Sequence, residues 1–203
     1  MQLRLRSTSD IALSDLGQLG RELQPDIDVV VESSQIHLRS ADPPSWVSFI
    51  ADAPWWVQTM GLYASVYVAE LFKEAAKTTW KERVNLVSAT GRGVNHLTNF
   101  ATTLVKFGLS RPRSTRLQLA LPIPHDYFGV QFEVLGREED LVAAEIAMFV
   151  HHVPGIQALL EQDEVRLRIT GMVVVQLLES GSAKVTWMNK DSLEFEVTVL
   201  PLR

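Results

Sequence analysis

No cysteine occurs anywhere in this chain, which excludes disulfide bridges, thiolate nucleophiles and cysteine-ligated metals together. Their absence fits a reducing compartment. An uninterrupted apolar stretch of the ~20 residues a membrane-spanning helix needs is also missing. The opening, MQLRLRSTSD, has no apolar segment of the kind a secretory leader carries, so a cytoplasmic protein is expected. The GxSxG elbow, the Ser-x-x-Lys pattern, the HExxH helix and the Walker glycine–lysine loop are all absent. No catalytic residue is nominated, and no cofactor or metal is expected.

What is present is a globular composition. Of 203 residues, 46% are hydrophobic and 21% charged, a balance that can bury a core and argues against disorder. The net charge of −5 gives no general attraction to nucleic acid or anionic lipid.

Periodicity divides the chain into an α+β pattern. Residues 1–40 read as a β-α-β unit. Leu3 and Leu5 alternate with Arg4 and Arg6, Ser7 or Ser9 is placed to cap a helix through Leu16, Leu19 and Leu23, and a β-branched run follows from Ile27 to Glu32. ADPPS at 41–45 is a break. Residues 45–108 then carry helical spacing: a short amphipathic piece to Asp52, a long helix from Pro54 to about Arg83, and a third helix from Val94 ended by Gly108.

From residue 115 the period becomes two. Leu117, Leu119, Leu121 and Ile123 alternate, Pro124-His125-Asp126 turns, and Phe128, Val130, Phe132 and Val134 alternate again, which is a hairpin. Residues 138–150 return to helical spacing, opened by Glu138, Glu139 and Asp140 and interrupted at Pro154-Gly155, with a short helix following to Leu160. The tail reads as a three-stranded meander over 165–178, 183–188 and 193–200. The expectation is one α+β domain over 1–203, with an N-terminal β-α-β unit, a helical middle and a largely antiparallel C-terminal sheet under a covering helix. Breaks near 40–45 or 109–114 are the alternative boundaries.

Two features bear on function. The first is PWWVQTMGLYASVYVAEL at 54–71, in a stretch with seventeen uncharged residues between Asp52 and Glu70. Embedded Pro54, Gln58, Thr59, Gly61 and Ser65 argue against a membrane span. In the C-terminal half of this helix Glu70, Lys73, Glu74, Lys77 and Lys81 form one charged stripe. Continued backward, that stripe runs through Tyr67, Val66, Tyr63 and Thr59, so a face that is wet in one half is apolar in the other. Either the rest of the chain covers it or another protein does. Tyr, Trp and Met are enriched at interface cores, so Trp56, Met60, Tyr63, Val66 and Tyr67 are the candidate interface for a protein partner or a second copy. Membrane contact is disfavoured by the scarcity of basic residues beside it.

The second feature is a charge asymmetry. Arg83 to Arg116 holds six basic residues and no acidic one, leaving thirteen basic against all twenty-four acidic residues elsewhere. Gly91, Arg92 and Gly93 precede a helix start, whose free N–H groups can receive an anion; with Arg111 and Arg113 they form an alternative small-anion or nucleotide site. Specific DNA binding is not expected, because the helix that follows offers only Lys106.

Among the histidines, His125 sits with Asp126 in a turn, and His151-His152 end a helix where its dipole suits them. Adjacent histidines point apart on a helix and make poor co-ligands.

Overall fold

The computed structural model describes residues 2–8, 11–23, 28–34, 46–50, 68–69, 95–109, 116–121 and 129–202. Their strands form one mixed eight-stranded sheet in the order β2-β1-β3-β4-β5-β6-β7-β8. The strands are β1 (Gln2–Thr8), β2 (Asp28–Ser34), β3 (Trp46–Ile50), β4 (Arg116–Leu121), β5 (Val130–Val134), β6 (Ile169–Leu177), β7 (Ala183–Asn189) and β8 (Phe195–Leu200). The helices are α1 (Leu13–Leu23), α2 (Asn95–Leu109), α3 (Glu139–Leu160) and the single turn α4 (Asp163–Arg166). The fold is α+β.

β1 and β2 run parallel with α1 between them, the β-α-β unit that alternation and helical spacing predict. α1 buries Leu16 and Leu19 and keeps Gln18 and Glu22 outside, bonded to each other at 2.9 Å one turn apart. Of the two expected caps, Ser7 lies within β1 and is buried, and Ser9 lies outside the described residues. The helix starts instead from the Ala12 carbonyl, which accepts from Asp15 N and Leu16 N.

Trp46–Ile50 is a correction to the helical reading of 45–52. It forms β3, antiparallel to β1 and parallel to β4. Five residues fit either period, and the Trp-Val-Ser-Phe-Ile composition has the β-branched and aromatic content that strands favour. Of the long helix read over 54–83, only Val68 and Ala69 are described. Both are helical, and Val68 belongs to the core.

α2 starts one residue after the expected Val94, and Gly108 lies inside its last turn rather than beyond it. A Cβ on Gly108 would stand 3.3 Å from Leu117 Cδ1, so this glycine lets the helix end approach β4 closely. β4 and β5 pair antiparallel as the expected hairpin requires, with Leu117 opposite Val134 and Leu119 opposite Phe132, while Ile123, the Pro124-His125-Asp126 turn and Phe128 lie outside the described residues.

α3 is the parallel crossover from β5 to β6 and the central helix of the described core. It runs 22 residues straight through Pro154, where the sequence predicts two helices. Its residues from Val142 to Val150 are all buried, so packing outweighs the cost of one proline. The Phe149 ring stacks on Phe132 of β5 with centroids 4.6 Å apart. α3 is the one described helix long and apolar enough to cross a membrane, yet most of that length is buried inside this fold. Because the helix continues, His151 and His152 sit in its body rather than at its end.

The expected meander is present as β6, β7 and β8, antiparallel throughout, except that residues 163–166 form α4 and the first strand begins only at Ile169. Gly171, with φ at +71°, lies where the β6–β7 register shifts, the conformation an irregular strand position asks of glycine.

Register settles the two faces. Leu119, Phe132, Val175, Val185 and Thr198 form one row across β4 to β8, on the face that the helices cover. The neighbouring row, Ala120, Gln131, Val174, Thr186 and Val197, faces the other way. On that second face burial falls steadily. Gln118 and Ala120 are buried on β4, Val174 and Thr186 are half-buried, and Val197 is exposed.

Candidate functional site

Three places depart from an ordinary packed layer. The first is the connection between β5 and α3. Glu145, 8% exposed, turns its carboxylate back onto the loop that precedes its own helix. Its Oε2 accepts from Leu135 N at 3.1 Å and Gly136 N at 3.0 Å, and its Oε1 also accepts from Gly136 N at 3.0 Å. A Cβ on Gly136 would stand 3.2 Å from both that Oε2 and Val142 N, so glycine is what lets the loop close onto the carboxylate. Burial pushes the Glu145 carboxyl up to about 7, against the opposing pull of the two backbone N–H groups and the Arg137 charge. Both oxygens are committed to backbone donors. The group clamps the loop and is not presented to a substrate.

The second is His152, 5% exposed, whose Nε2–H donates to the Gly181 carbonyl at 2.9 Å across the β6–β7 turn. Burial lowers its pKa, so the neutral ring is the form that fits. Its neighbour His151 is exposed, as two consecutive residues on one helix must point to different surroundings. Among the described residues no group of three or more His, Asp or Glu side chains gathers at metal-binding distance.

The third is β8. It is the outermost strand of the described sheet, and Phe195, Val197 and Val199 are 70%, 53% and 50% exposed. The Asn189 N–H donates to the Glu194 carbonyl at 2.9 Å, which sets the hydrogen-bonding phase of the β7–β8 ladder. In an antiparallel pair such residues alternate, so Glu196, Thr198 and Leu200 spend their backbone groups on β7. Phe195, Val197 and Val199 therefore aim both N–H and C=O outward, and the same three residues carry the exposed apolar side chains.

The turn before this strand adds a fourth apolar group. Asn189 Oδ1 accepts from Asp191 N at 2.9 Å, closing an Asx turn, and Asn189 Nδ2 reaches Glu196. The turn ends at Leu193, whose φ is +58° and which is 70% exposed. Glycine or asparagine is usual in that left-handed position. An exposed leucine there is both strained and apolar.

The structure does not test the residues nominated from sequence. Trp56, Met60, Tyr63, Val66 and Tyr67 lie outside the described residues, as do Gly91, Arg92, Gly93, Arg111 and Arg113. β8 is legible in the sequence as the last strand of the expected meander, but the spacing alone does not say which of its faces is covered. The available signal was its place as the last strand of a meander, which usually puts a strand at a sheet edge, combined with apolar residues at every odd position.

No protein-family model matches this chain, and comparison with curated proteins and with solved structures returned no significant match.

Proposed function

We propose that this protein is a non-enzymatic protein-association module that docks an extended strand of a protein partner onto β8. The observation that supports the reading is the coincidence, on Phe195, Val197 and Val199, of exposed apolar side chains with outward backbone groups. Strand addition draws affinity from main-chain hydrogen bonds and selectivity from alternate side chains, and β8 offers both. Natural edge strands are usually blunted by lysine, proline or a bulge. β8 has no lysine, no proline and no break in its register with β7. A cytoplasmic setting belongs to the same proposal, in keeping with a chain that has no cysteine.

The test uses a fluorescein-labelled peptide of alternating Thr and Val, capped at both ends, titrated with dilute protein and followed by anisotropy. The expected result is saturable binding to the wild type and at least a tenfold loss with Phe195→Lys. Phe195 is exposed, so that substitution leaves the core untouched. Equal binding by wild type and Phe195→Lys contradicts the proposal.

A further inference from the structure

We infer that the partner strand is β8 of a second copy of this chain, paired antiparallel about a two-fold axis at Val197, so that two sheets join edge to edge. This rests on the reading of β8 as a docking strand and goes further by naming the occupant and its register.

The strand is complementary to itself in one register. A two-fold axis perpendicular to a sheet keeps each face on the same side, so residues of like parity must pair. With the axis at Val197, Val197 faces its own counterpart, and Phe195 faces the Val199 position of the second copy, and the reverse. These are the residues whose N–H and C=O aim outward, so each pair exchanges both of its backbone bonds. On the same face the pairs are aromatic with β-branched and β-branched with itself, combinations that stabilise cross-strand neighbours. On the helix-covered face Glu196 falls opposite Thr198.

Neighbouring registers fail for identifiable reasons. Moving the axis to Glu196 sets two glutamates directly opposite each other, a like-charge pair that opposes association. Moving it to Thr198 brings Phe195 against Pro201, which has no N–H to donate. The charge and hydrogen-bond pattern of the strand thus selects Val197 as the centre. Leu193 stands at the end of the same stripe, opposite Pro201 in this register, where its exposed side chain lengthens the apolar contact.

Light scattering on the intact chain over a range of concentrations reads the association directly. The expected mass rises from the 22.7 kDa of one chain toward twice that value as concentration increases. Val197→Pro removes only an outward N–H, so the variant is expected to keep its circular dichroism and run at the single-chain mass. Phe195→Lys is the second variant, with the same expected outcome. Wild type at the single-chain mass at every concentration overturns the second-copy proposal, and so do variants that associate as the wild type does. Strand-peptide binding by a wild type that stays single-chain leaves the docking reading standing, so the two failures are distinguishable.

Register is read separately with a short bis-maleimide, because the chain has no native thiol to interfere. Val197→Cys places two thiols on Cα atoms about 5.5 Å apart, whereas Phe195→Cys places them roughly 14 Å apart. Efficient cross-linking of Val197→Cys alone is expected. Equal or greater cross-linking of Phe195→Cys overturns the register.

Discussion

Glu145 shows how a single side chain ties stability to pH in this molecule. Its carboxyl ionises near pH 7 in the folded chain and near 4.5 when solvated. The folded state therefore binds the proton more tightly, and the stability this contributes is fully present below about pH 4.5 and is lost as pH rises through about 7. The whole effect is on the order of 3 kcal/mol. His152 works the other way. Its folded pKa lies below the ordinary 6.5, so the stability it contributes is present above that value and is lost as pH falls through its lowered one. Glu145→Gln keeps one acceptor for the Gly136 and Leu135 amides but cannot ionise. In chemical denaturation at pH 5 and pH 8, the wild type should lose more stability than Glu145→Gln across that interval. Parallel losses would mean that Glu145 does not carry the dependence. Leu193 is the other residue out of keeping with its surroundings, strained by its left-handed backbone and exposed beside an apolar stripe. Neither residue stands out in the sequence. A glutamate at helical spacing looks solvated, and only the returning loop at Gly136 shows what its carboxylate holds.

Among the elements, those with a long, regular period were legible and the short or internally contradicted ones were not. α1, the β4–β5 hairpin and the β6–β8 meander follow their hydrophobic spacing because each presents one face to the core. β3 is too short for its period to decide between strand and helix, and its pairing with β1 and β4, distant in sequence, decided it. The sequence divides α3 in two because proline is a local breaker, and local rules do not register how much apolar surface a continuous helix buries. Pro154 still costs the helix. It cannot donate to the Val150 carbonyl, and its ring crowds the preceding turn. Pro154 is exposed, so Pro154→Ala leaves no cavity. It is expected to raise the unfolding free energy by about 1–3 kcal/mol, measured by thermal or denaturant melts. An unchanged or lowered midpoint would contradict that cost. β8 was found as a strand, yet its exposure depends on what lies beside it, and strand spacing carries no information on that.

At the scale of the whole molecule, the described structure is one mixed sheet with helices over one face, and burial on the opposite face declines from β4 to β8. The helix-covered side is closed by α3 over β5, β6 and β7, which carry Phe132, Val175 and Val185, and by α2 against β4. The outer end of the other side is where the sheet still presents apolar side chains and unspent backbone groups. An edge of this kind is completed by adding a strand. The uncharged aromatic segment at 54–71 lies, apart from Val68 and Ala69, outside the described residues, and the functional proposal stands on β8. Residue-resolved amide exchange tests that claim most directly, because it reads the atoms on which docking depends. In dilute solution Glu196 and Thr198, bonded to β7, should exchange slowly, while Phe195, Val197 and Val199 exchange fast. As concentration rises, the three outward amides should become protected as well. Fast exchange at all three positions at every concentration would contradict the account.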